Sequence, residues 1–132
     1  MNKPITTKVH GMLDYSIGLL LLFAPNLFGF ADMGGAAVWV PRLVGIATIL
    51  QSLFTRYELG AVKALPMRMH LVNDYIAGAL LVASPWLFRF HEAEQRFWLP
   101  HVVLGLGILL VTALTRKVPR HVELQDLHPG HA

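Results

Sequence analysis

The chain has 132 residues, of which 55% are hydrophobic and 14% charged, and its net charge is +3 at neutral pH. A soluble protein has roughly 25% charged residues, so this composition indicates a membrane protein with room for four spanning helices and no separate soluble domain. The absence of cysteine excludes disulfides, thiolate ligands and thiol catalysis. Basic residues lie at the ends of apolar runs rather than in a stripe, which argues against nucleic-acid binding.

The apolar runs predict four helices in chain order. They cover about residues 9–23, 38–57, 67–84 and 97–116, and the polar tail 117–132 is expected to be irregular. Pro25 and Pro85 are expected to end the first and third helices, because the residue before a proline avoids the helical region. Pro41 and Pro100 are expected in the first turns of the second and fourth helices, where proline is tolerated.

The second half of the chain repeats the first. At an offset of 60 residues, positions 10–56 match positions 70–116 at 14 of 47 places. The matching pairs include His10/His70, Asp14/Asp74, Tyr15/Tyr75, Gly18/Gly78, Pro25/Pro85, Gly45/Gly105, Thr55/Thr115 and Arg56/Arg116. The sequence therefore predicts one membrane domain, residues 1–132, built from two tandem helical hairpins at about 9–57 and 67–116. Because each repeat has two spans, the repeats are parallel, with a pseudo-two-fold axis along the membrane normal.

The distribution of basic residues predicts the orientation. Eight lie on the side of the N-terminus, the central loop and the tail: Lys3, Lys8, Arg56, Lys63, Arg68, Arg116, Lys117 and Arg120. Three lie on the other side: Arg42, Arg89 and Arg96. Since cytoplasmic loops carry the excess of Lys and Arg, both termini are expected in the cytoplasm.

A tripeptide at the end of the third helix identifies a family. Ser84-Pro85-Trp86 stands there, and the first repeat has the degenerate copy Ala24-Pro25-Asn26. Together with the repeated His-x-x-x-Asp-Tyr motif, the chain resembles the SPW repeat family of small prokaryotic integral membrane proteins over about residues 5–116. The resemblance implies the membrane fold and a bacterial inner membrane. It implies no reaction, because the family has no established activity.

The tripeptide is interpreted as a structural motif at the membrane interface. Ser84 can donate to a freed backbone carbonyl, Pro85 and its counterpart Pro25 can end their helices, and Trp86 can anchor the helix exit in the headgroup region. A serine without a nearby base is not a nucleophile.

Two polar clusters are the candidate site. His10 and Asp14 are four residues apart, so they share one helix face, and His70 and Asp74 repeat this spacing. Arg56 and Arg116 close the second and fourth helices at the same level. We therefore expect two separate clusters, His10–Asp14–Arg56 and His70–Asp74–Arg116, in which an arginine neutralises each carboxylate.

Three functional hypotheses for these residues compete with the structural one. The two His and two Asp could bind a divalent metal, but the arginines argue against it. Two histidines could hold a haem, for which a compact bundle has little room. The clusters could also begin an ion pathway that continues through polar residues of the second and fourth helices. Those residues are Thr48, Gln51, Ser52, His101 and Thr112.

The sequence thus favours a structural or interaction protein with no catalytic residues, no enzymatic activity, and neither metal nor cofactor. A small transporter or channel is the alternative, followed by a metal-binding protein. The expected partners are the lipid bilayer and either a second copy of the chain or another membrane protein. His91 and His101 are expected to be solvated, and Gly18 and Gly78 to let the two halves meet.

Overall fold

The computed structural model describes residues 3–117, and predictions for the tail at 118–132 lie outside the described residues. This part of the chain is all-α, with four long helices and no strands. The helices are α1 (Thr7–Leu27), α2 (Gly35–Leu53), α3 (Met67–Leu87) and α4 (Gln95–Ala113), and one-turn 3₁₀ helices at Ala31–Met33 and Phe90–Glu92 connect the two members of each hairpin. The predicted bundle of two tandem hairpins is confirmed.

The prolines do not end the helices as expected. Pro25 and Pro85 lie inside the last turns of α1 and α3, while Pro41 and Pro100 lie beyond the first turns of α2 and α4. A proline inside a helix frees the carbonyl four residues earlier. For Pro41 and Pro85, a side-chain donor reaches that carbonyl, which lets the helix continue.

Glycine pairs hold each hairpin together. A Cβ added to Gly45 of α2 would lie 2.6 Å from the carbonyl oxygen of Gly18 in α1. The same arrangement recurs between Gly105 and Gly78, at 2.8 Å. These backbones touch, so a side chain at either position would separate the helices. The expectation that Gly18 and Gly78 join the two halves is wrong, because they contact the partner helix of their own hairpin.

Short extended segments connect one repeat to the end of the other. Ile5, just before α1, donates its N–H to Leu114 O at 3.1 Å, just after α4. Leu65, just before α3, donates to Phe54 O at 2.7 Å, just after α2. The two pairings are equivalent at the offset of 60 residues, and they close the bundle around its pseudo-two-fold axis.

Several polar residues are buried inside the bundle, and many large apolar residues are exposed on its outside. Large side chains such as Leu43, Ile76 and Leu110 are about 60% exposed, whereas two Asp–His pairs are buried. Both α2 and α4 have the length and composition of a membrane span. Many exposed large apolar side chains together with two span-like helices are typical of a membrane protein.

An apolar layer crosses the middle of the bundle. Each helix contributes one buried residue to it: Leu21, Val44, Leu81 and Ile108. Val44 lies at the middle of α2, and the other three lie in the last third of their helices. The layer separates the His–Asp pairs of α1 and α3 from the prolines at the far ends of these helices.

Candidate functional site

Four buried side chains converge where α1 and α3 face each other. His10 and Asp14 come from α1, and His70 and Asp74 from α3; none is more than 6% exposed. One ligand atom from each residue lies within 4.8 Å of the other three. The i, i+4 spacing places each His–Asp pair on the inner face of its helix, and the pseudo-two-fold axis brings the pairs together. The four residues, hereafter the His–Asp centre, form one site rather than two.

Contacts within the centre cross between the repeats. His10 Nε2 lies 3.0 Å from Asp14 Oδ1 and 2.9 Å from Asp74 Oδ2. His70 Nε2 lies 3.0 Å from Asp14 Oδ2 and 3.1 Å from Asp74 Oδ2. Each imidazole nitrogen therefore meets both carboxylates, and each carboxylate meets both imidazoles.

The two arginines are not part of this site. Arg56 Nε donates to Lys63 O at 3.2 Å, and Arg116 Nε donates to Lys3 O at 2.9 Å. Among residues 3–117, no arginine forms an ion pair with Asp14 or Asp74. The pairing expected from the sequence is wrong: each arginine holds the segment that precedes a repeat, because the chain turns away from the axis after α2 and after α4.

Two threonines fix the orientation of the histidines, again across the repeats. His10 Nδ1 lies 2.8 Å from Thr115 Oγ1, and His70 Nδ1 lies 2.6 Å from Thr55 Oγ1. Each hydroxyl donates its own proton to the carbonyl four residues earlier, that of Val111 or Gln51. The hydroxyl oxygen must then accept from the histidine, so both histidines carry a proton on Nδ1 and direct Nε2 into the centre.

His70 Nε2 lacks a hydrogen bond although two carboxylates are near it. The atom is fully buried, yet neither Asp14 nor Asp74 lies in the direction in which an Nε2–H would point. His70 Nε2 therefore lies close to both carboxylates without a hydrogen bond to either.

The two carboxylates have different second partners. Tyr57, after α2, donates its hydroxyl to Asp14 Oδ2 at 3.2 Å, and burial raises the pKa of this tyrosine, which keeps it a donor. Asp74 Oδ1 instead accepts from Gln51 Nε2 at 3.0 Å, whose Oε1 accepts from Asn73 at 2.7 Å. Sequence reasoning missed Tyr57, Thr55 and Thr115 as site residues, although the recurrence of threonine at the 60-residue offset was a usable signal.

The family comparison agrees with the repeat architecture. The model of the SPW repeat domain matches residues 8–115, which include both hairpins and the whole His–Asp centre. This chain belongs to the SPW repeat family. No curated protein and no solved structure gives a significant match. The resemblance read from the sequence is confirmed, and the site must be interpreted from the geometry of this SPW repeat protein itself.

The tripeptide that gives SPW repeat proteins their name has a local structural role. Ser84 Oγ donates to Leu81 O at 2.7 Å, the carbonyl that Pro85 leaves without its helical N–H. Trp86 is half exposed, and its ring lies edge-on to Trp98 and stacks on His91. Pro85 does not end the helix, since α3 continues to Leu87.

His101 supplies the hydrogen-bond donor for the backbone carbonyl that Pro41 leaves free. Its Nε2 donates to Ala37 O at 2.7 Å, the carbonyl freed by Pro41. The ring lies between Phe30 and Phe90, with centroids 5.0 and 4.7 Å away, and only 1% of the residue is exposed. The prediction that His101 is solvated is therefore wrong: it joins α4 to α2 at the opposite end of the bundle from the His–Asp centre.

Proposed function

We propose that this protein is a multi-pass protein of the bacterial inner membrane that binds a divalent transition-metal ion, with zinc as the best fit, through His10, Asp14, His70 and Asp74. The ion joins the two hairpins, so the role is structural rather than enzymatic. The observation that carries the proposal is the convergence of both Nε2 atoms and both carboxylates on one buried point.

The distances support a four-coordinate ion. Ligands about 2.0–2.1 Å from zinc define a tetrahedron whose edges are roughly 3.3–3.4 Å long. The four N–O contacts of the centre measure 2.9 to 3.1 Å. These contacts involve both oxygens of Asp14, and one ligand atom from each residue lies within 4.8 Å of the other three, so the ligands must adjust to tetrahedral spacing around the ion.

The chemistry of the donors supports the same ion. Imidazole and carboxylate are common zinc ligands, and the second nitrogen of a metal-bound histidine usually donates to an outer partner. Thr55 and Thr115 are such partners. Two carboxylates and two neutral imidazoles also balance a divalent charge, which matters because an uncompensated charge is costly in a buried site.

The number of ligands favours a structural ion over a catalytic one. Catalytic zinc sites keep a position open for water or substrate, whereas structural sites are closed by four protein ligands. The centre has four ligands, two from each repeat, and no more than 6% of any ligand residue is exposed. The proposal therefore includes no enzymatic activity. We propose that the assembled bundle acts by associating with a second copy of the chain or with another membrane protein.

The orientation in the membrane rests on the basic residues. Eight Lys and Arg lie on the side of the termini and three on the other, so both termini are proposed to be cytoplasmic. The His–Asp centre then lies toward the cytoplasmic end of the bundle.

Transport is less well supported than binding. The apolar layer of Leu21, Val44, Leu81 and Ile108 lies between the His–Asp centre and His101. Of the side chains expected to form a path, Gln51 donates to Asp74 Oδ1 and His101 to Ala37 O of α2. The hydroxyls instead bond to their own helices: Ser52 donates to Thr48 O and Thr112 to Ile108 O. These hydroxyls satisfy local carbonyls and do not continue the chain of polar groups from the centre.

Metal analysis of the full-length protein tests the proposal. The protein, purified in detergent and exposed to zinc, is expected to retain about one ion per chain after gel filtration. Loaded with Co²⁺, it should show the visible absorption of a tetrahedral site with nitrogen and oxygen ligands. Asp74→Asn and His70→Asn should each lose the ion, while His91→Asn, at the opposite end of the bundle, should keep it.

The cobalt spectrum of the unaltered protein does not depend on whether the variants fold. A folded protein that retains neither zinc nor cobalt would overturn the metal proposal and leave a hydrogen-bonded His–Asp cluster that joins the repeats. Equal loss of zinc in His91→Asn would show adventitious binding.

A further inference from the structure

A cavity of about 360 Å³ opens beside α3 at the same end of the bundle as the His–Asp centre. Three basic side chains line it, those of Lys3, Arg68 and Lys117, and no acidic residue of the described chain does. Its apolar wall includes Val72 and Tyr75, which are 49% and 42% exposed on the outer surface of the bundle. The cavity thus combines a positive end with an apolar wall that faces the bilayer.

The first repeat shows which residues lie in the equivalent space. At the offset of 60 residues, Tyr75 corresponds to Tyr15, whose hydroxyl donates to Leu59 O at 2.8 Å. Next to it, a Cβ on Gly11 would lie 2.9 Å from side-chain atoms of both Leu59 and Tyr57. The connector at 57–59 therefore packs against the face of α1 that corresponds to the cavity wall.

That connector also supplies a carboxylate. Glu58 accepts from Thr7 Oγ1 at 2.9 and 2.7 Å, at the first residue of α1. The second repeat has no equivalent pair in its sequence, because Met67 replaces Thr7 and Val118 replaces Glu58. The first repeat thus has its own anion at this position, whereas the residues of the described chain that line the cavity in the second provide three cations and no anion.

The start of α3 adds to the positive potential. Pro66 precedes the helix and provides no side-chain cap, and the first turn has no acidic residue. In α1 the cap is Thr6, which accepts from Val9 N. The uncapped N–H groups of α3 and the guanidinium of Arg68 both favour a negative group nearby.

We infer that this cavity binds the headgroup of an anionic phospholipid, with the phosphate at Lys3, Arg68 and Lys117 and an acyl chain along Val72 and Tyr75. Basic pockets at the cytoplasmic ends of membrane helices suit such headgroups. The apolar wall, which opens toward the bilayer, favours a lipid over free phosphate. This inference does not depend on a metal in the His–Asp centre.

Native mass spectrometry of the full-length protein tests the inference. Released from mixed micelles of phosphatidylglycerol and phosphatidylcholine, the protein is expected to retain one phosphatidylglycerol preferentially. Arg68→Gln should weaken this retention roughly five-fold, since each basic residue near an anionic lipid contributes about that factor. Arg68→Lys should retain most of the preference, because it keeps the charge.

Lys8→Gln is the matched control, because Lys8 occupies the position equivalent to Arg68 in the repeat where the connector at 57–59 packs and Glu58 supplies a carboxylate. It should leave phosphatidylglycerol retention unchanged. An equal loss in Lys8→Gln would overturn the inference in favour of general surface attraction. Full displacement by millimolar inorganic phosphate would show that the site binds the anion and not the lipid. Equal retention of both lipids by the unaltered protein would also overturn it, whatever the variants do.

Discussion

His10 Nε2 in α1 lies 2.9 Å from Asp74 Oδ2 in α3, a contact that links the two repeats across the pseudo-two-fold axis. Neither repeat can complete the centre alone, because each provides only one imidazole and one carboxylate. The glycine contacts at Gly18 and Gly78 assemble the hairpins individually, whereas the His–Asp centre joins them. A ligand bound there therefore stabilises the assembled bundle by a free energy that grows with the logarithm of its affinity.

The crossed threonines should tune metal affinity. Thr55→Val and Thr115→Val each remove the acceptor of a histidine Nδ1–H while preserving side-chain volume. Loss of such an outer partner typically lowers metal affinity by about 10–100-fold. We expect each variant to bind zinc at unchanged stoichiometry but with affinity reduced to this extent, measured by competition with a chromophoric chelator.

Thr112→Val is the control for these threonines. Thr112 is equally buried and donates to the carbonyl four residues earlier, but among the described residues it has no histidine contact. Its substitution should leave zinc affinity within error of the unaltered protein. A loss as large as that of Thr115→Val would mean that the effect comes from helix packing and not from histidine orientation.

Metal binding should release protons. Both Nδ1 atoms already donate to threonines, so the hydrogen bond between His10 Nε2 and Asp74 Oδ2 in the metal-free centre needs a further proton, carried by one partner or the other. A metal ion requires these ligands without that proton. Calorimetry in buffers of different ionisation enthalpy should therefore report at least about one proton released per ion. Release of none would contradict the proton positions assigned here.

Much of the fold follows from the repeat in the sequence. The recurrence of Gly45 and Gly105 and the hydrophobic runs predict two equivalent hairpins, and the helices lie where expected to within a few residues. The prolines were the exception. Whether a proline interrupts a helix depends on a donor for the freed carbonyl, and for Pro41 that donor is His101, which is 60 residues away in the chain and supplied by another helix.

The sequence predicts which His and Asp residues form the site, but not which of them contact each other across the two repeats. The i, i+4 spacing places His10 beside Asp14, and this local contact exists at 3.0 Å. The partner from the other repeat could not be inferred, because which helix faces meet at the axis depends on how the hairpins dock. The same uncertainty led to the assignment of Arg56 to Asp14, although the backbone after α2 directs the arginine toward Lys63.

Membrane topology can be tested directly. Reporter fusions at Lys117 and at Gly34 lie at opposite ends of helices that cross the bundle. Because the basic residues are distributed eight to three, the Lys117 fusion should report the cytoplasm and the Gly34 fusion the opposite compartment. A cytoplasmic signal from Gly34 would reverse the orientation, and cytoplasmic signals from both would argue against a spanning first hairpin.

The serine of the SPW tripeptide should stabilise the helix only because proline follows it. Ser84 is fully buried, and its hydroxyl donates to the Leu81 carbonyl that Pro85 cannot reach with an N–H. Ser84→Ala leaves that buried carbonyl without a donor, which should lower the free energy of unfolding by about 1–3 kcal/mol. In the double variant Ser84→Ala with Pro85→Ala, the new backbone N–H at position 85 replaces the hydroxyl, so most of the loss should be recovered. Unfolding of the single and double variants in mixed detergent measures this coupling, and additive losses would show that Ser84 acts through packing instead.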